Sequence, residues 1–156
     1  MSGAESARPD DIEQLVELQC ALFREDAAVH DRFVDLQWPL NESAADLGGM
    51  LADPRSRVLV VRSEGPAVGY LAGYIVDSPP TRFPALNAVL RSLYVQPAHR
   101  GRGIAGQLTE AFVGWARDSG CVQVTVDCYV ANESARRLYE RSGFVAQSLR
   151  SALTLT

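Results

Sequence analysis

Two stretches of the chain combine residue types and spacings that chemistry can use. The first is Val95–Gly106, VQPAHRGRGIAG, where Gly101, Gly103 and Gly106 read G-x-G-x-x-G between a strand-like VLRSLYV and a helix-like run. Closely spaced glycines let backbone N–H groups converge, and the helix behind them aims its positive end at the loop, so phosphate oxygens fit there. Arg100 and Arg102 add formal charge for a ligand with more than one phosphate. The second is Asn132–Phe144, NESARRLYERSGF, which carries Tyr139 on a helical pattern. A phenol beside a leaving group can act as a general acid. It can equally be an ordinary aromatic packing from its helix onto a sheet.

The loop admits more than one phosphate reading. A dinucleotide fingerprint has support: the glycines follow a strand and open a helix, and Asp127 stands 21 residues after Gly106, where an acidic ribose ligand belongs. Against it, QPAHR inserts five residues, one a proline, before the glycines, and only 50 residues follow Gly106. An upstream antiparallel hairpin also replaces the parallel units of a doubly wound fold. A nucleotide-triphosphate loop fails, because no Gly-Lys-[Ser/Thr] closes the run. The third reading takes Arg100–Ala105, RGRGIA, as one unit in which backbone groups of Gly101, Arg102, Gly103, Ile104, Ala105 and Gly106 cradle a pyrophosphate. A helix entry that is merely rich in Gly and Arg is the structural alternative.

The elements that must position these residues follow from periodicity. Near Glu5 lies a short strand, then a break at Pro9, with Asp10 as N-cap and Glu13 three residues on as a capping box. Ile12, Leu15, Leu18 or Gln19, Leu22 and Phe23 then recur at helical spacing. A second helical region falls between Asp26 and Ala52, interrupted at Trp38-Pro39 and ended before Pro54. Val58–Arg62 and Ala67–Asp77 form a hairpin around Ser63–Pro66, and the prolines of SPPTRFP mark a loop. Leu90–Val95 is the next strand. From Gly103, the residues Ile104, Leu108, Ala111 or Phe112, and Trp115 share a helix face, with Gly120 beyond its end. CVQVTVDCYV alternates as a strand, Asn132 caps a helix through Arg141, and Gly143 closes it. FVAQSL and ALTL are expected to supply one or two last strands. The layout is mixed α/β (α+β): an antiparallel hairpin, then β-α-β-α-β.

Composition narrows the class. A chain of 156 residues with 47% hydrophobic residues fits one domain, residues 1–156, with a core that needs neither metal nor disulfides. The net charge of −4 argues against a nucleic-acid binder. All 15 basic residues are arginine, so no mechanism here uses a catalytic lysine. Cys20, Cys121 and Cys128 fit neither a disulfide framework nor a C-x-x-C pair, and with no signal peptide they suggest a reducing, cytoplasmic setting. Cys121 and Cys128 are expected at or near a hydrophobic strand, as buried thiols commonly are. His30 and His99 stand without metal-ligand spacing, so no metal is expected, and no apolar run approaches a membrane span.

From Leu90 to Phe144 the sequence resembles the Gcn5-related N-acetyltransferases, the GNAT superfamily. Their phosphate loop, R/Q-x-x-G-x-G/A, corresponds here to Arg100, Gly103 and Ala105, approached through LYVQPAHRGRG. The later pattern N-x-x-A-x-x-x-Y-x-x-x-G-F corresponds to Asn132, Ala135, Tyr139, Gly143 and Phe144. Before Leu90 only the order of elements agrees.

The resemblance implies a central mixed, mostly antiparallel sheet flanked by helices, with acetyl-CoA as acyl donor in a cleft where two parallel strands splay apart. Those strands would be Leu90–Val95 and Val122–Tyr129. Main-chain groups of Leu93, Tyr94 and Val95 would pair with the pantetheine arm, and one N–H there would polarise the thioester carbonyl. Tyr139 would protonate the departing thiolate, and Asn132 would cap its helix and touch the cofactor.

Many relatives carry a glutamate just before the LYV of the central strand. Here Arg91 and Ser92 stand there, so Asp127 or a water wire would take the acceptor's proton; Asp127 can equally be a solvated strand-end residue. The acceptor, an amine of a small molecule, an aminoglycoside-like compound or a peptide N-terminus, would be set by Arg24–Asp46 and Ser78–Asn87. Arg24–Asp46 holds Glu25, Asp26, Asp31, Asp35, Glu42 and Asp46 against Arg24 and Arg32, an acidic rim for cationic amines or simply the solvated face of helices. Relatives are often dimers, which leaves a homodimer open. The departure at the strand glutamate also leaves open a non-catalytic module that binds acyl-CoA.

Overall fold

The structure, a computed structural model, describes residues 2–155. Its frame is a five-stranded sheet in sequence order: β1 (Glu5–Ser6), β2 (Ser56–Arg62), β3 (Ala67–Asp77), β4 (Leu86–Val95) and β5 (Cys121–Val126). All neighbouring pairs are antiparallel except β4 and β5, which are parallel. Helices α1 (Ile12–Val29) and α2 (Trp38–Ala52) cover one face; α3 (Ile104–Asp118) and α4 (Glu133–Arg141) cover the other.

The two faces follow from period-2 alternation along the strands. Val58, Val60, Tyr70, Ala72 and Tyr94 point to α1 and α2, where they meet Leu15, Leu18, Leu47 and Met50. Leu59, Val61, Leu71, Ile75, Ala88, Leu90 and Val95 point to α3 and α4, where they meet Ile104, Leu108, Phe112 and Tyr139. Both Leu18 and Gln19 are buried, and Gln19 Oε1 accepts a hydrogen bond from the Ser43 hydroxyl of α2. Stacked Phe23 and Trp38 rings, with centroids 5.8 Å apart, also join these two helices.

The expected N-cap at Asp10 is displaced. Pro9 fixes its own φ and opens a 3-10 turn, Pro9–Asp11, whose N-cap is Arg8, two residues before Asp10. Asp11 Oδ2 then accepts from the Arg8 N–H at 2.7 Å. Both Asp11 carboxylate oxygens also accept from the Arg62 guanidinium at 2.7 Å, tying the start of α1 to β2. That bidentate bond is the main reason the Asp11 carboxyl lies below the usual carboxylate range.

The expected last strands are absent: Phe144–Leu155 lies in no strand, and the sheet ends at β5. A strand forms where pairing also buries its apolar face. Here Val145, Leu149, Leu153 and Leu155 are 74–88% exposed, with no element over them. Among the described residues, no helix is long and apolar enough to cross a membrane.

Candidate active site

The site begins at a defect in β4. Strands β3 and β4 pair from Asp77/Leu86 to Gly69/Val95, but their register slips between Ala72 and Gly73, leaving Arg91 as the extra residue. A bulge bends its strand and raises local twist. On its other side β4 pairs with β5 only as far as Leu90/Val126. Beyond that point Arg91–Val95 continues with no strand on the β5 side.

The backbone direction there can be read from one bond. The Gln96 N–H donates to the Val68 carbonyl in β3. Strand alternation then turns the N–H and C=O groups of Leu93 and Val95 towards the opening, and those of Tyr94 towards β3. Of the three expected main-chain contacts, Leu93 and Val95 therefore face the cleft. The backbone of Tyr94 is taken up by the sheet, and its ring is buried.

β4 leads through a 3-10 turn, Pro97–His99, into the glycine loop. Gly101 and Gly103 adopt φ of 78° and 79°, the left-handed region that a side chain resists. Gly103 is the N-cap of α3, and no side chain caps that end. The first-turn N–H groups of Ile104, Ala105 and Gly106 thus have no intrahelical acceptor, which makes the helix start a ready anion site. Arg102 is exposed at the loop.

Arg100 is placed differently from a free phosphate ligand. Its Nε donates to the Val95 carbonyl at 2.9 Å, and its Nη2 donates to Glu25 Oε2 of α1 at 2.7 Å. The guanidinium also lies 5.3 Å from the Tyr94 ring centroid. It braces the end of β4 against α1.

The second motif lies on the α3 side of the sheet. Asn132 caps α4, its Oδ1 accepting from the Ala135 N–H at 3.1 Å. Tyr139 is 9% exposed and joins the cluster that includes Leu90, Val95 and Ile104, with Leu93 packed against it. Phe144 meets its ring edge-on at 5.5 Å, held there by the Phe144 N–H donating to the Tyr139 carbonyl at 2.9 Å. Burial, and secondarily the nearby Cys128 thiol, push the Tyr139 phenol well above its usual pKa, so it stays protonated.

Asp127 is the first residue past β5, which ends at Val126 rather than Tyr129, and its side chain is exposed. Cys128 is exposed as well, and Cys121 is only half-buried, so neither is the buried strand thiol expected. Both thiols are pushed up, chiefly by desolvation.

A tether that periodicity did not reveal crosses the cleft. His30, next after α1, stacks on Tyr129 with ring centroids 4.8 Å apart and planes at 15°. The Tyr129 hydroxyl also approaches Asp31 Oδ2 at 3.5 Å. Helix α1 therefore holds both arms of the splay, β4 through Glu25–Arg100 and the end of β5 through His30–Tyr129.

A cavity of about 1,020 Å³ lies along the outer edge of β5, lined by residues that include Val113, Val122, Arg136, Tyr139 and Val145. It meets the cleft at Asp127, Cys128 and Tyr139 but does not reach the glycine loop. Its outer wall is the unpaired tail, so its volume reflects the missing last strands more than the site itself.

The chain is similar to known proteins along most of its length. The model of the acetyltransferase (GNAT) family matches residues 12–144. An uncharacterized N-acetyltransferase of Mycobacterium bovis is 30% identical over 111 residues, which is 71% of this chain and 67% of that protein. An aminoglycoside N(6')-acetyltransferase type 1 of Stenotrophomonas maltophilia is 29% identical over 116 residues, covering 69% and 72%. Among solved structures, a tetramutant Bacillus halodurans protein superposes with a TM-score of 0.86 at 21% identity, covering 97% of this chain and 99% of that one. An aminoglycoside N-acetyltransferase in complex with CoA gives 0.73 at 19% identity, covering 98% of both. These likenesses fix the mixed sheet with its parallel β4–β5 pair, and the chain belongs to the acetyltransferase (GNAT) family as an N-acetyltransferase.

Proposed function

We propose that the chain uses acetyl-CoA to acetylate a primary amine by direct transfer, with one domain, residues 1–156, carrying the activity. The observation that carries this reading is the open edge of β4 running into an uncapped helix start. Leu93 offers its N–H and C=O, and Val95 its N–H, to an extended ligand, the Val95 carbonyl being held by Arg100, and Gly101–Gly106 offer N–H groups to its phosphates. A pantetheine arm ending in a pyrophosphate matches that order of surfaces; a ligand without an extended arm would leave the β4 edge unused.

Bound acetyl-CoA supplies an activated acetyl thioester. Leu93 or Val95 N–H stabilises the negative charge that develops on the carbonyl oxygen as the amine attacks. Arg102 adds charge at the phosphates, while Arg100 holds the loop to α1. Asn132 sets the start of α4 and so the position of Tyr139. Tyr139 gives its proton to the departing sulfur. With thiol and phenol pKa values of about 8.5 and 10, and burial raising the phenol further, transfer is uphill and depends on adjacency. Asp127, exposed just past the end of β5, is open to solvent and could take the acceptor's proton directly or through a water wire.

Cationic amines fit the acidic residues of α1 and the segment after it, so polyamines, aminoglycoside-like compounds and peptide N-termini are the acceptors to test. The acidic balance supports neither a nucleic acid nor a membrane as partner, and the three free thiols support a reducing, cytoplasmic setting. One observation keeps a second reading, a non-catalytic acyl-CoA-binding module: β4 carries no carboxylate from Leu86 to Val95. Thiol release from acetyl-CoA, measured with spermidine, kanamycin and an alanine-initiated peptide, separates the two. Turnover with at least one amine is expected. Tight CoA binding without turnover on any of them would favour the module.

A further inference from the structure

Asp26 occupies a position that neither the family motifs nor the reading of Asp127 singles out. Along α1 and onto its C-cap, Leu15, Gln19, Leu22, Asp26 and His30 recur every three or four residues, so they form one stripe. Leu15 and Gln19 on that stripe are fully buried against the sheet, which places Asp26 on the inward side. Its neighbour Glu25 holds Arg100 at the end of β4, and His30, one turn on, stacks on Tyr129 just beyond β5. Asp26 therefore stands between the two tethers, on the helix that bridges the splay. No arginine pairs with it among the described residues.

We infer that Asp26 is the catalytic base, holding the acceptor's ammonium at the mouth of the cleft and taking its proton. This rests on the acetyltransfer reading above. The ammonium gives its first proton to the Asp26 carboxylate, which passes it to solvent. The freed lone pair forms the N–C bond to the acetyl carbon, and the C–S bond breaks with its electron pair on sulfur. Tyr139 protonates that sulfur and regains a proton from the second N–H of the attacking nitrogen. One amide, one thiol and one solvent proton result from one ammonium and one thioester.

The surroundings suit a base. The groups around Asp26 are His30, Glu25 and Asp31 on its own segment, Tyr129 from the loop after β5, and Tyr70 from β3. Tyr70 is fully buried, and its phenol is pushed up to about 12 mainly by desolvation, with the Ser92 and Gln19 side chains beside its hydroxyl opposing that rise. Desolvation is also what lifts the Asp26 carboxyl above its usual range, with Glu25 and Asp31 adding to the rise and His30 opposing it. A raised carboxyl is a stronger base, and it is ionised only above its own pKa.

The test measures kcat/KM for the best amine of spermidine, kanamycin and the alanine-initiated peptide against pH, together with acetyl-CoA affinity by calorimetry. In the wild type the rate should rise with pH as Asp26 ionises. Asp26→Asn should lower kcat/KM about 100-fold near neutral pH, within the range for a lost general base, with acetyl-CoA affinity unchanged. The deficit should shrink towards pH 10, where the amine loses its own proton, and Asp26→Glu should restore part of the rate. A structural role would not produce that pH-dependent recovery. If Asp26→Asn stays within threefold of wild type, or if Asp127→Asn carries the pH effect instead, the assignment is overturned. Failure of the wild type to bind acetyl-CoA would overturn the acetyltransfer reading itself, a result the calorimetry reads separately.

Discussion

Tyr139→Phe should lower kcat by about 100-fold while leaving acetyl-CoA affinity within twofold, the expected loss when a positioned general acid is removed. Phenylalanine keeps the ring against Phe144 and the cluster around Leu90 and Ile104, and removes only the hydroxyl. A hydroxyl making one hydrogen bond contributes about 0.5–1.5 kcal/mol to stability, so a folding defect does not mimic the kinetic one. Burial raises the phenol, so Tyr139 remains the acid form through the alkaline range in which the amine deprotonates. The pH profile of the wild type should therefore show no loss of rate from Tyr139 below pH 9. Thermal melting and steady-state kinetics on the same preparation check all of this. Unchanged kcat with unchanged melting would reduce Tyr139 to a packing residue.

The second large effect is structural and reaches the site through packing. A Cβ on Gly73 would stand 2.4 and 2.5 Å from two ring carbons of Phe112 and 2.5 Å from the Val89 carbonyl oxygen. Phe112 is fully buried, and the Val89 oxygen belongs to β4 backbone, so neither can swing aside. Gly73→Ala should therefore cost about 3 kcal/mol, the upper end of overpacking. For a chain of this size that lowers Tm by about 6–12 °C. Gly73 lies beside the bulge, and Phe112 is the contact that seats α3 on the sheet. The same substitution should thus weaken acetyl-CoA binding, because it shifts the helix start that carries the phosphate donors. Calorimetric melting and a CoA titration measure the two effects; Gly114→Ala on α3, with open space around its Cβ, is the control.

Much of this was legible from local patterns. The 3.6-residue period of α1 and α3 and the alternation of β2 and β3 depend on which side chains face the core, and the structure keeps those faces. Asn132 and Gly103 announce helix starts through chemistry that acts within a few residues. What was not legible depends on distant partners. The bulge at Arg91 arises from how β3 and β4 meet, and nothing within VLRSLYV marks it. The end of β5 at Val126 follows from the divergence of β4, so Asp127 and Tyr129 fall outside the strand that their alternation suggested. FVAQSL and ALTL have strand-like composition but no element to cover their apolar face. Arg100 reads as a phosphate cation until Glu25, 75 residues away, is seen to hold it. Asp26 was visible only as one of several acids on a helix; the tethers on either side of it single it out.

The central claim is that the open edge of β4 and the start of α3 together receive an acyl-CoA. Amide hydrogen exchange with and without acetyl-CoA tests it most directly, with NAD as the comparison ligand. Acetyl-CoA should slow exchange at Leu93 and Val95 and across Gly101–Gly106, leaving β2 and the tail Phe144–Leu155 unchanged, and NAD should slow none of these. Protection of the glycine loop by NAD but not by acetyl-CoA, or protection by acetyl-CoA confined to the cavity outside β5, would contradict it.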